Sequence, residues 1–417
     1  MSRYTARAAI AVGGTAIAAL VLAGCGQGFS GSGSSPSAGG LTSSKSPLTL
    51  MIGSSGDAET KAVQDAAAAW SKKSGVDVTV VPATNLSQQL SQGFAASTPP
   101  DVFYLSTDAI AGFAGNKSLQ AYGDMLKNKS DFYPSLVKNF SVNDTFYCAP
   151  KDFSTLQLII NTDLWEKAGL TDADIPTTWD QLAADAKKLT SGTTKGLVFS
   201  GEYARIGAFM AQAGGRLVSA DGKKAEADSA ANVTALTYVK DHLNDGSFAY
   251  AKDVGAGWGG EAFGKQLGAM TIEGNWITGA MQSDYPTVKY KVVELPAGPA
   301  GKGTLQFTNC WGMSAAGKNQ KAALDFIEYL TTAEQQLAFS KAFGPMPSVK
   351  SAADAWTADN APLVPFLKGA EYAQGVPTNA GAADVIADFN SQLETLKTSD
   401  PKTILQSVQT NLEAVVK

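Results

Sequence analysis

The chain has 417 residues, 44% of them hydrophobic and 17% charged, with a formal net charge of -5. That acidic balance, without any basic run, argues against a nucleic-acid partner, and a folded part of about 370 residues is more than one compact core usually serves, so two lobes are expected. The only histidine, His242, lies in a polar helical stretch and reads as a surface residue, which removes most Ser-His-Asp, Cys-His and zinc-ligand schemes, because each needs imidazole held beside another specific group.

At the N-terminus, Arg3 and Arg7 precede an apolar stretch rich in small residues, Ala8 to Leu22, which is short for a spanning helix and has the form of an export signal. Leu22-Ala23-Gly24-Cys25 resembles a bacterial lipobox, in which the cysteine thiol takes a diacylglycerol and becomes the first residue after cleavage. The alternative is an ordinary signal peptide with an incidental cysteine. Residues 1–25 are thus read as a signal peptide with lipobox, and the Gly/Ser-rich residues 26–46 as a flexible, disordered tether.

Leu48 to Ile52 has the pattern of a strand, Glu59 to Lys73 that of a helix stopped at Gly75, and Val76 to Val81 that of a returning strand. This βαβ unit predicts a parallel sheet. After a helix at Asn85 to Ala96, the strand Asp101 to Leu105 delivers Ser106, Thr107 and Asp108 to its carboxyl end, where open α/β sheets bind ligands. Asp57 and Glu59 sit at the matching end of the first strand, where capping of the helix is a second, compatible role.

Further on, an extended piece, Phe146 to Pro150, is followed by Lys151, Asp152, Ser154 and Thr155, then by an apolar strand, Leu156 to Ile160, and a helix from Thr162 that Gly169 ends. Polar groups at that place mark a crossing between lobes, since a core strand would leave them without partners. Next come a strand at Gly196 to Phe199 and helices at Arg205 to Ala213 and Ala231 to Leu243. The run Gly255-Ala-Gly257-Trp258-Gly-Gly260 matches the dinucleotide fingerprint formally, but lacks the preceding strand and reads as a flexible loop presenting Trp258. Helix Glu261 to Gln266 and strand Ala269 to Ile272 lead through Glu273-Gly-Asn275-Trp276 into another helix, then strand Tyr290 to Glu294, a Pro/Gly loop and a second crossing at Phe307 to Ser314. Helices Gln320 to Leu330 and Ala333 to Phe343, a third crossing at Gly344-Pro-Met-Pro347, and helices around Ala361 to Ala373 and Ala383 to Val416, broken at Pro401, complete the chain.

Several of these stretches carry a resemblance. "YCAPKDFSTLQLIINTDLWEKAGL" with "IPTTWDQLAADAKKL", "PPDVFYLSTDAIAGFAGNKSL", "GAMTIEGNWITGAM", "LPAGPAGKG" and "NCWGMSAAGKNQKAALDFIEYLTTAEQQ", in this chain, resemble the extracellular solute-binding proteins of carbohydrate ABC importers, the family that contains maltose-binding protein. The resemblance implies an α/β, two-lobed periplasmic-binding-protein-like fold with discontinuous lobes, each a mostly parallel sheet flanked by helices, and three hinge crossings. Lobe 1 would comprise 47–150 and 308–345, and lobe 2 would comprise 151–307 and 346–417. It further implies a monomeric binding protein, not an enzyme, that needs no cofactor and no metal. That protein would capture a mono- or oligosaccharide by closure of the lobes and deliver it to ABC permease transmembrane subunits while held at the extracytoplasmic face of the cell membrane by its lipid alone. The family also puts the segments holding Cys148 and Cys310 side by side, so a disulfide is expected there, two free buried thiols being the alternative.

Sugars present hydroxyls for carboxylate, amide and guanidinium partners and C–H faces for aromatic rings. The candidate rings are Trp258, Trp276, Trp311 and Tyr203; the candidate polar partners are Asp57, Glu59, Asp108, Lys151, Asp152, Glu202, Arg205 and Asn275. Trp276 and Asp108 stand where the resembling family has a stacking tryptophan and a hydroxyl-binding aspartate. Trp70, Trp165 and Trp179 have helical-period neighbours and read as core. The run KDFST departs from the glutamate-containing run of maltose-binding protein, and Ala380 to Leu396 lacks a tryptophan, so maltodextrin specificity does not carry over. Two rival classes are a glycoside-acting enzyme using paired carboxylates such as Asp108 and Glu202, and a binder of another small solute.

Overall fold

The computed structural model describes residues 40–416. The expected signal peptide, the lipobox with Cys25 and the tether up to residue 39 lie outside the described residues. The end of the tether is not loose: the Thr42 N–H and hydroxyl donate to Gln320 Oε1 (3.1 Å) and the Gly317 carbonyl (2.7 Å), and Asn319 Nδ2 donates to the Ser46 carbonyl (3.0 Å). The side-chain amides of Asn319 and Gln320 supply partners that composition alone does not reveal.

Strand β1 (Leu48–Ile52) alternates buried Leu48, Leu50 and Ile52 with half-covered residues, then hands the chain to the helix Asp57–Ser74. That helix buries Glu59, Val63, Ala66, Ala67 and Trp70, and ends at Gly75, whose left-handed φ of 74° lets its N–H close on the Ser71 carbonyl. Strands β2 (Val78–Pro82) and β3 (Val102–Ser106) lie parallel to β1 on either side. A short hairpin, β4 (Ser141–Val142) and β5 (Thr145–Phe146), precedes β6 (Ala149–Thr155), and β7 (Gln157–Asn161) follows at once. The remaining strands are β8 (Lys195–Phe199), β9 (Phe248–Tyr250), β10 (Gly268–Glu273), β11 (Tyr290–Val293), β12 (Thr304–Met313) and β13 (Ala373–Gly375).

They form two sheets, one ordered β13-β12-β3-β1-β2 with β6 along β12, the other β11-β7-β10-β8-β9. Both are mixed: the βαβ units give parallel neighbours, whereas β7 with β10 and β11, and β12 with β3 and β6, run antiparallel. The antiparallel members of the first sheet are the crossings themselves. Ala149 and Cys310 lie in the core of the first sheet, while Leu156 and Leu305 lie in that of the second, so β6 and β12 each run from one core to the other. They pair from Gln306 opposite Thr155 to Trp311 opposite Ala149, with a register shift between Asn309 and Cys310. The third crossing joins them where the Phe153 N–H donates to the Met346 carbonyl (3.2 Å). Cys148 and Cys310 form a disulfide with a Cα–Cα separation of 5.7 Å, at the first-lobe end of the paired crossings.

Past Pro347 the chain first packs on the first core, where Val349 and Ala352 are buried. The expected helix around Ala361 to Ala373 is a series of short turns and helices, among them Val364–Lys368, in a stretch containing Pro362 and Pro365, followed by β13. This segment and the helix before it place Trp356 and Phe366 with Ile159, Phe263 and Ile277 in a separate apolar cluster. Gly369 packs tightly there, since a Cβ would fall 2.3 Å from Thr155 Oγ1.

Candidate functional site

Loops from the carboxyl ends of both sheets converge on β6. On the first-lobe side, the Glu59 carboxylate accepts from the Ser55 N–H (2.8 Å) and hydroxyl (2.7 Å), the Tyr104 hydroxyl (3.0 Å) and Lys151 Nζ (3.0 Å). Lys151 also bonds Asp152 and lies 4.5 Å from the Tyr104 ring centroid and 5.3 Å from that of Phe343. Glu59, Tyr104 and Lys151 are buried, Asp152 and Phe343 are partly covered, and Ser55 is exposed at the edge.

Further along β6, about 10 Å from Lys151 at the usual strand rise, Ser154 Oγ accepts the Asn275 N–H (2.9 Å). Here the second lobe contributes its own charged group. Arg205 Nη1 donates to Glu202 (2.8 Å) and Nη2 to the fully buried Glu273 at the end of β10. The Trp276 Nε1–H donates to the same Glu273 oxygen (2.9 Å), and the guanidinium lies 5.5 Å from the Trp276 ring centroid. An edge-on contact, 5.7 Å between centroids, joins Trp276 to Phe307, which is paired with Ser154 across the crossings. Among the described residues only Met125 and Trp276 are large apolar side chains left exposed, Trp276 at 39%.

Burial acts to raise the Glu59 pKa, but the Lys151 ammonium and the two Ser55 donors outweigh it and hold the carboxyl below its ordinary value. Lys151 is likewise kept charged: burial opposes the ammonium, and Asp152, the Tyr104 hydroxyl and Glu59 more than offset that. Burial dominates at Glu273, whose pKa is raised although Arg205 and Trp276 pull the other way.

Of the residues picked from the sequence, the structure groups Glu59, Lys151 and Asp152 in one cluster and Glu202, Arg205 and Trp276 in another. Asp57 and Asp108 are exposed at the carboxyl ends of β1 and β3. Trp258 is half-buried at the start of a short helix and packs on the apolar cluster of Phe263 and Ile277. Three further selections lie within the fold. Trp311 is fully enclosed in the first core, 5.1 Å from the Tyr104 ring, because β12 runs between β3 and β6 there and is buried on both faces from Cys310 to Met313. Tyr203 is buried in the second core, 6.0 Å from Phe389, as part of a helix covered on nearly all sides. The Asn275 side chain donates to the Gly344 carbonyl (2.8 Å), which ties the second lobe to the third crossing. Glu273, Phe307 and Tyr104 were missed. For Glu273 the available signal was a carboxylate closing an otherwise apolar strand three residues before Trp276.

Among the described residues no group of His, Cys, Asp and Glu is arranged to hold a metal ion, and no helix is long and apolar enough to cross a membrane. The family model of the bacterial extracellular solute-binding proteins matches residues 54–337. A binding protein of Brucella abortus is 24% identical over 355 residues, covering 81% of this chain and 85% of its own length. The diacetylchitobiose binding protein DasA of Streptomyces coelicolor is 24% identical over 310 residues, 72% of this chain and 69% of its own. In fold, the chain is similar to the cyclic alpha-maltosyl-1,6-maltose binding protein of Arthrobacter globiformis, with a TM-score of 0.79 at 20% identity over 89% of this chain and 99% of that one.

Proposed function

The chain belongs to the family of bacterial extracellular solute-binding proteins, and on that premise we propose that it captures a mono- or oligosaccharide between its lobes and hands it to the permease of an ABC importer. The observation that carries this reading is Trp276, an exposed indole between Phe307 and the Arg205 guanidinium, with carboxylates on both sides of the crossings. A ring beside fixed carboxylates suits a ligand with C–H faces and many hydroxyls. An anionic solute such as glycerol phosphate fits less well, because Lys151 and Arg205 already face carboxylates and Asp57, Asp108 and Glu202 add negative field.

In this reading the three crossings act as the hinge, with the lobes dividing near residues 150 and 307, and bending is taken up in a few torsions of β6, β12 and Gly344–Pro347. Cys25 carries the lipid that keeps the monomer at the outer face of the membrane. Saccharides are bound and released unchanged.

A thermal-shift panel of mono- and oligosaccharides tests this. The cognate sugar at a hundredfold excess over Kd should add about 2.7 kcal/mol of stability by mass action. Trp276→Ala should lose that shift while unfolding at close to the wild-type midpoint without sugar. Release of reducing ends in proportion to protein would defeat the binder reading, and an undiminished shift in Trp276→Ala would defeat the stacking role.

A further inference from the structure

Glu273 ends β10, Gly-Ala-Met-Thr-Ile-Glu, a strand buried along its whole length. An ionised carboxylate in such a place costs several kcal/mol unless its partners compensate, and an apolar side chain would fill the position more cheaply. Its bonding is one-sided. Oε2 accepts both the Trp276 indole N–H and the Arg205 guanidinium, whereas Oε1 has no partner and lies against Gly259, whose absent Cβ would fall 2.6 Å from it and 2.8 Å from the equally unbonded Thr271 Oγ1. Arg205 is anchored in turn by Glu202 and lies 5.5 Å from the centroid of the Trp276 ring. The indole is thus tied at its nitrogen and flanked by a cation while much of it remains in solvent.

We infer that Glu273 is a positioning residue: together with Arg205 it fixes the plane of the Trp276 ring, so that an indole otherwise free to turn about its side-chain torsions is set before the saccharide arrives. The inference rests on the saccharide reading above and adds to it a residue that touches no ligand. Setting the ring in advance removes an ordering cost from binding, and the loss of the hydrogen bond that holds it should weaken affinity about tenfold.

The test follows the indole itself. With 15N-labelled tryptophan, the Trp276 Nε1–H resonance is assigned by its disappearance in Trp276→Phe. Glu273→Gln keeps an oxygen for the indole and offers an amide to Thr271 Oγ1, so the resonance should stay in place and affinity for the best saccharide of the panel should hold within about threefold. In Glu273→Leu the resonance should move to the position of a free, fast-exchanging indole, and affinity should fall about tenfold. Trp276→Phe, a change at an exposed site that keeps a ring but removes the N–H, should lose about as much, and combining it with Glu273→Leu should cost little further, because both break one interaction. An unmoved resonance in Glu273→Leu, wild-type affinity in Trp276→Phe, or additive losses in the double variant would each overturn the inference. Should Glu273→Leu not fold, the wild-type resonance decides: an indole N–H that exchanges fast at the free position would overturn the inference. If wild type binds no saccharide at all, the reading of function fails, while the resonance still reports whether Glu273 holds the indole.

Discussion

Removing the bridge between Cys148 and Cys310, by replacing both with alanine, should lower the midpoint of thermal unfolding by roughly 6 °C. The two cysteines are 162 residues apart in sequence, and closing so long a loop restricts the unfolded chain by about 5 kcal/mol on the chain-entropy account. Both thiols are buried, so each alanine also leaves a small void, which adds to the loss. Calorimetry of the oxidised protein beside the double variant measures the difference. A change under about 2 °C would mean that the paired crossings restrain the unfolded chain little and that the bridge serves something other than stability.

Lys151→Met should destabilise by roughly 3–5 kcal/mol, because it strands the buried Glu59 carboxylate and the partly covered one of Asp152, whose ammonium partner has been taken away. The cost belongs to the imbalance and not to the absence of a salt bridge. Replacing all three together, Lys151→Met with Glu59→Gln and Asp152→Asn, should therefore recover most of the loss, since amides can keep the Tyr104 and Ser55 bonds without a buried charge. Denaturant titration of the single and triple variants distinguishes the two; equal losses would refute the argument. The sign with pH also follows. Glu59 titrates below its ordinary value of 4.5 in the fold, so its stabilising contribution is complete above that value and disappears as pH falls through the lower, folded one. Glu59→Gln alone, which removes this titration and leaves Asp152 in place, should accordingly lose less stability than wild type on acidification below about pH 4.

Helices and strands with clear periodicity were legible in the chain: Gln320–Leu330 and Ala333–Phe343 run between the very residues that their patterns marked. The polar insert Lys151 to Thr155 located the crossing because charged groups there demand partners outside a core. What was not legible depended on direction in space. Trp311 sits in a crossing segment, as expected, but there β12 runs between β3 and β6 and is buried on both faces. The surroundings of Tyr203 and Asn275 were hidden for a related reason, since no local pattern shows that Phe389 packs on the one or that the Gly344 carbonyl bonds the other. Glu273 escaped notice because a single carboxylate at a strand end looks like the start of a turn; only the convergence of Arg205 and Trp276 on one of its oxygens gives it a role.

The back-and-forth path of the chain bears on how the molecule comes to exist. The first core is incomplete until Val349 and Ala352 have been synthesised, and the second until Leu412 has. On the ribosome, then, no contiguous part of the nascent polymer can finish either half early, as an N-terminal domain commonly does.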